Sequence, residues 1–501
     1  MTLEYSKILA SILFATTAIF TQLTQASTDD KQSIVYANET AIVFKTMDGK
    51  TTDAFEGFIQ VPENRSKLDS RLISVKYVRF PATGNSKGSP IIYLSGGPGG
   101  SGIMTAKYPR FRFPLFMALR EFGDVIALDQ RGTGASKSAA KCISSQTLPM
   151  TKVLTQSQVT QLYQSAANEC VDYWQKEGVD VNGYTTLESA EDINALRKHF
   201  KADKVTLWGI SYGSHLALAS LKSMQGKIDK IVIASAEGLN QTVKFPAQTD
   251  AYFGRLQQAI NTQPDAAQLY PNITTLMHRV HQQLTEQPLL VQVPQKEGAA
   301  VDFLFQKYHM QILASAMIAD PQRGVSQLLA LYQELDSGSE VGLIKVLSRG
   351  YFNDNTISFE LMSFAMDIAS GITETRLAQV NQQAKTSLLG TALNFPMPHL
   401  NKAVKGLDLG DDFRTYPKSD VPTLLLTGTL DGRTYIDSQK AATKGLSNLT
   451  QVMVVNAGHN LFMSSPKVTA VIKTFLADEK INTKEIIIKL PSFVPRTKTA
   501  S

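Results

Sequence analysis

"LWGISYGSHLAL", residues 207–218, sets Ser211 between Gly209 and Gly213, behind an apolar run and ahead of a helix-like one. Strand, tight turn and helix is the setting in which a serine hydroxyl is pushed out on a strained bend. Glycines flank it because side chains there would collide with neighbouring backbone. In a chain with 32 glycines the same five residues could equally make a small-residue bend. The choice between nucleophile and bend therefore rests on the rest of the chain.

Other short apolar runs also end in glycine-rich or acidic turns: "PIIYLSGGPGG" (90–100), "DVIALDQRGTGAS" (124–136), "KIVIASAEG" (230–238), "PTLLLTGTLDG" (422–432) and "QVMVVNAGHN" (451–460). Each reads as a buried parallel strand that delivers polar residues from its carboxyl end. Helix-like segments at 188–200, 214–224, 435–446 and 466–477 separate them. Strand alternating with helix predicts a mostly parallel, doubly wound α/β sheet, whose ligands bind beyond the carboxyl ends of the strands. "DAFEGFIQVPEN" (53–64) and "RLISVKYVRFPA" (71–82) predict an antiparallel start to the sheet, and "EIIIKLPSF" (485–493) a last strand. The segment 240–405 breaks the alternation, being rich in Gln, Leu and Met at helical spacing. It predicts a helical cap inserted between a first core part, 27–239, and a second, 406–501.

Length and composition agree with a large core plus an insertion: 501 residues, 43% hydrophobic and 19% charged. The net charge of +6 is small for this length and no basic block stands out, which excludes nucleic acid as the default partner. At the N-terminus, Lys7, an apolar run at 8–20 and a polar run from Ser27 have the order of a secretory signal peptide, 1–26, cleaved after Ala26. The run is shorter than the roughly 20 residues a spanning helix needs, so the mature chain is expected to be exported, periplasmic or extracellular, and free of the membrane. The only two cysteines are Cys142 and Cys170. In an exported chain such a pair favours a disulfide over a metal or catalytic pair; without export it would be two buried thiols.

A serine hydroxyl becomes a nucleophile only when a base takes its proton, and the base needs a carboxylate to hold its tautomer. Two residues downstream stand at strand ends in the required order: Asp431 after "TLLLTGTL" and His459 after "VMVVNAG". An oxyanion hole needs two backbone N–H groups. Tyr212, just after the serine, offers one, and Gly97 in "SGGPGGSG" (95–102) the other. A phosphate-binding role for that loop is disfavoured, since Pro98 interrupts it and no Lys-Ser/Thr pair follows.

"GGPGGSG", "DQRGTGAS", "GISYG", "LLTGTLDGRTY" and "NAGHN", in this order, resemble the secreted α/β-hydrolase serine aminopeptidases related to proline iminopeptidase and tripeptidyl aminopeptidase. The resemblance covers most of the mature chain outside the cap. It implies an α/β-hydrolase fold, Ser211 as nucleophile, Asp431 as orienting acid, His459 as base, and a Cys142–Cys170 disulfide. It also implies that Asp129 and Arg131 buttress the site without reacting. The family usually carries His before the glycine-proline loop; Ser95 stands there here, which leaves the backbone donors intact.

An aminopeptidase must also bind the substrate's α-ammonium with a carboxylate outside the triad. Glu237, after "IVIASA", and Asp367, in "SFAMDIASG", are the candidates. A carboxylate at Glu237's position can also serve as the triad acid, a rival to Asp431. His215 follows the serine too closely to act as base. His278 and His281 lack acids or cysteines nearby and make a poor metal site, so no metal or organic cofactor is implied. The expectation is an exported serine hydrolase acting on the N-termini of short peptides, with no nucleic-acid partner and an oligomeric state the sequence leaves open. An esterase is the alternative, and a non-catalytic hydrolase-fold binding protein the third reading.

Overall fold

Every residue of the strand Val205–Ile210, which runs into Ser211, is buried, as happens when a strand is covered on both faces. Successive side chains alternate between those faces: Leu207 enters one core layer and Trp208 the other. The layer holding Leu207 is filled by helices Thr186–His199 and Tyr212–Met224. The layer holding Trp208 is filled by Phe113–Leu119 and Pro466–Leu476.

The computed structural model describes residues 34–84, 88–110, 112–352 and 355–495; the expected leader, 1–26, lies outside them. The strands belong to the unit Val35–Ser501. They are, in chain order, β1 Glu39–Lys45, β2 Thr51–Pro62, β3 Leu72–Phe80, β4 Ile91–Leu94, β5 Val125–Leu128, β6 Cys142–Thr147, β7 Val205–Ile210, β8 Ile228–Ala234, β9 Leu289–Val293, β10 Val301–Phe305, β11 Thr356–Phe359, β12 Thr423–Gly428, β13 Leu449–Val455 and β14 Glu485–Ile487. Ten of them form one sheet in the order β1-β2-β3-β5-β4-β7-β8-β12-β13-β14. β1, β2, β3 and β5 pair antiparallel, and from β5 to β14 the pairing is parallel. This is the doubly wound sheet with an antiparallel start that the run pattern predicts, with β1 added. Only one residue of "ETAIVFK" in β1 is buried, so the strand carries little apolar signal.

The chain runs from β4 to β5 on one side and then crosses to β7 on the other, so the strand order reverses between β4 and β7. Crevices at such reversals are where doubly wound sheets bind ligands. The loops leaving these two strands carry Gly97 and Ser211.

Between β8 and β12 the chain is mainly helical, but it also contains the hairpin β9–β10 and strand β11. β9 and β10 are half-buried with a period of two, "LLVQV" and "VDFLF", an alternation that the surrounding helical pattern obscures in the sequence. β11 pairs with β6. Through β6 and helix Gln156–Lys176, a segment expected in the first core part shares a buried cluster with helix Leu361–Ser370. The sequence-based boundary at 240 therefore cuts across a packed unit.

The close approach of β4 to the turn after β7 gives a stability test. A Cβ on Gly213 would lie 2.0 Å from the Leu94 carbonyl oxygen, backbone against backbone, with no side chain able to yield. Gly213→Ala is expected to cost about 3 kcal/mol or more, read as a lower urea midpoint. A midpoint equal to wild type would contradict this packing.

Candidate active site

Ser211 adopts φ 55° and ψ −126°, a conformation L-residues rarely hold, and it caps the helix Tyr212–Met224. The turn is tight on both sides: a Cβ on Gly209 would lie 2.4 Å from the Gly213 oxygen. The backbone strain and the two glycines are thus one feature, a serine held out at the end of β7.

His459 comes from the loop after β13 and Asp431 from the loop after β12. His459 Nδ1 lies 3.0 Å from Asp431 Oδ1 and 3.1 Å from Oδ2. The Asp431 carboxylate is buried and held from three more directions. The N–H groups of Arg433 and Thr434 donate to Oδ1 at 2.8 and 2.9 Å, and the Thr434 hydroxyl donates to Oδ2 at 2.7 Å. Burial pushes this carboxyl upward, but the neighbouring imidazole and these donors outweigh it and hold it below the usual carboxylate range. The backbone of His459 is fixed as well: its N–H donates to the Ala319 carbonyl, and the Ser235 hydroxyl donates to its own carbonyl. Ser211 and His459 line the same cleft, with no hydrogen bond between the serine hydroxyl and the imidazole.

Gly97, with φ +127°, sits in the loop after β4. That loop packs on the serine turn, since a Cβ on Gly96 would meet Ile210 O at 2.9 Å and Ser211 Cβ at 3.1 Å. Tyr212, as the first residue of its helix, has an N–H with no intrahelical acceptor, and the Gly97 N–H donates to no backbone carbonyl. The Ser363 hydroxyl donates to the Pro98 carbonyl at 3.0 Å, tying the loop to helix Leu361–Ser370.

Ser211, His459 and the Gly96–Pro98 loop line one cleft of about 520 Å³, together with Glu237 and Asp367, while Asp431 lies buried behind His459. Glu237 is ion-paired: Lys244 Nζ lies 2.9 Å from its Oε2. It does not approach His459 as triad acid; Asp431 holds that position. The Asp367 carboxyl has no hydrogen-bonding or ionic partner among the described residues. Burial, helped by the nearby Glu237 charge and opposed by Lys244, raises its pKa to about 7.

Of the seven histidines, His459 alone lines the cleft. His215 is fully buried, with ring nitrogens 3.2 Å from the Gly238 carbonyl and from Ser370 Oγ. His281 Nε2 lies 2.8 Å from the Tyr332 hydroxyl, while His278 is exposed. Among the described residues no group of three His, Cys, Asp or Glu could hold a metal ion. Cys142 and Cys170 are joined by a disulfide. Asp129 Oδ1 accepts from the Ser101 hydroxyl and the Ile103 N–H, and Arg131 is buried against Asp192 and the Gly183 carbonyl.

Several cleft residues escape the sequence reading. Arg433 and Asn460 stand beside Asp431 and His459 inside the quoted motifs, so adjacency was a usable signal. Lys244 and Ala319 carry none: they reach the cleft from the segment 240–405, whose sequence pattern reads as helical. Asp320, next to Ala319, accepts the Asn460 N–H at 3.0 Å and steadies the loop after β13.

Residues 89–466 match the family model described as alpha/beta hydrolase fold. Over 190 residues the chain is 28% identical to the serine protease Hip1 of Mycobacterium tuberculosis (strain ATCC 25618 / H37Rv), covering 36% of this chain and 35% of that one. It is 31% identical over 183 residues to the putative hydrolase YuaR of Escherichia coli (strain K12), covering 35% of each. It is 25% identical over 167 residues to the tripeptidyl aminopeptidase of Streptomyces coelicolor, covering 32% of this chain and 31% of that one. The chain thus spans about a third of the length of the curated relatives it matches.

Proposed function

The chain belongs to the alpha/beta hydrolase fold family, and from that premise we propose that it is a serine aminopeptidase acting on short peptides. The observation that carries the reading is the unpartnered Asp367 carboxyl in the same cleft as Ser211 and the His459–Asp431 pair. It is a binding group for an ammonium beside a nucleophile and its base.

In the reaction, the substrate's α-ammonium sits at Asp367, with Glu237 adding negative potential. Ser211 Oγ attacks the scissile carbonyl as its proton passes to His459 Nε2. Asp431 holds the imidazolium by accepting from Nδ1–H. The N–H groups of Gly97 and Tyr212 receive the oxyanion. Collapse breaks the C–N bond, and His459 returns the proton to the leaving amine. Water, deprotonated by His459, then hydrolyses the acyl-enzyme and frees Ser211. The disulfide supports export, because such bonds persist in oxidising compartments.

An esterase is the second reading. The observation in its favour is that Lys244 already neutralises one of the two candidate carboxylates. Chromogenic peptides with free and acetylated N-termini separate the two. Turnover of the free form alone is expected, and equal turnover of both sinks the aminopeptidase reading.

The pH profile is a second test. Below about pH 7 Asp367 is protonated and neutral in the free enzyme, so ammonium binding weakens and kcat/KM falls. Above it the carboxylate is charged and binding is restored. A neutral ester reports the base alone. The peptide profile should fall more steeply toward acid than the ester profile, and Asp367→Asn should remove the difference. Superimposed profiles in the native enzyme would contradict this role.

A further inference from the structure

The cleft holds a charge that this reaction does not use. The Arg433 backbone N–H steadies Asp431, yet its partly buried guanidinium lines the cleft with no hydrogen bond or ion pair among the described residues. A guanidinium carries five N–H donors and stays charged, and removing it from water without a partner is costly. Burial holds its pKa below the ordinary arginine value, against the pull of Tyr435 and Asp431. Arg112 lines the same cleft and donates only to neutral groups there, the Tyr93 hydroxyl at 3.0 Å and Asn460 Oδ1 at 3.2 Å. Asp367 is the counterpart of opposite sign, also unpartnered, and it is not ion-paired with Arg433. An unpaired carboxylate and an unpaired guanidinium that share a cleft without neutralising one another are complementary to a molecule that carries both charges apart.

We propose that Arg433 is a substrate-binding residue that takes a carboxylate on the leaving portion of the peptide, so that the cleft selects zwitterionic short peptides. The proposal rests on the aminopeptidase reading. With the amine end of the substrate at Asp367, the far end is the leaving portion. The carboxylate there has two sources: the peptide's own C-terminus, or an acidic side chain just after the scissile bond. Arg433 binds either as a charge-assisted, bidentate pair.

The test compares matched substrates that share an N-terminal residue: one pair ends in alanine as free acid or amide, and the other carries glutamate or glutamine before a terminal amide. Wild-type kcat/KM is expected to favour the carboxylate by about tenfold or more in at least one pair. The alanine pair reports a C-terminal source, and the glutamate pair a side-chain source. Arg433→Gln should bring the ratio to near one, and Arg433→Lys should restore part of it. A wild-type ratio near one in both pairs overturns the proposal. So does a ratio that survives Arg433→Gln while both rates drop together, which marks a residue that only positions Asp431. If Arg433→Gln does not fold, the wild-type ratio and the lysine variant decide. Anilides with free or blocked N-termini carry no carboxylate and test the aminopeptidase reading separately. If they fail, binding of the same acid and amide pairs to Ser211→Ala by calorimetry still decides the proposal, on the same ratio.

Discussion

Ser211→Ala is expected to lower kcat by about 10⁶-fold and to abolish labelling by a fluorophosphonate probe. The size follows from the geometry. The serine is held in a strained conformation where it lines the cleft. His459 is the one histidine lining the cleft. Without the hydroxyl, what remains is water attack assisted by the backbone donors, worth about 10³–10⁴ over solution in enzymes of this type. The substitution removes one oxygen from a cleft wall, so the denaturation midpoint should stay close to wild type. Wild-type turnover by a folded Ser211→Ala protein would remove the nucleophile assignment and the acyl-enzyme with it.

Asp431→Asn is expected to lower kcat by about 10⁴-fold, for a different reason. Oδ1 receives the N–H groups of Arg433 and Thr434, so an asparagine at 431 keeps its carbonyl oxygen there and turns its amide nitrogen toward the position of Oδ2. His459 Nδ1, 3.0 Å from Oδ1 and 3.1 Å from Oδ2, then meets a donor at one of its two acceptors and must share the other with two backbone N–H groups. The imidazole responds by carrying its proton on Nε2, and it can no longer accept one from Ser211. Glu237→Gln is the control. Glu237 contacts Lys244 and not His459, so on an uncharged ester this variant should stay within about tenfold of wild type. Equal losses in the two variants would return Glu237 to contention as the orienting acid.

Much of this was legible from local pattern. A short apolar run closed by glycine or an acid marks a strand end whatever surrounds it, and Ser211, Asp431 and His459 each stand at one. The hairpin β9–β10 was hidden because its period of two is only five residues long on each side and is flanked by helical repeats. The pairing of β6 with β11 was hidden more deeply. "CISSQT" and "TISF" are short, and they join segments some 200 residues apart, which no window of sequence spans.

The sequence by itself determined the alternation of strands and helices, and with it which loops would gather at the carboxyl edge of the sheet, because burial on both faces is written into each apolar run. Tertiary structure alone decided how the charges in that cleft divide. Asp431 reaches His459, Glu237 is taken by Lys244, and the Asp367 and Arg433 side chains have no hydrogen-bonding or ion-pair partner among the described residues. The physical reason is range. A strand end depends on a few consecutive residues, whereas an ion pair needs about 3 Å between side chains that arrive from distant parts of the chain.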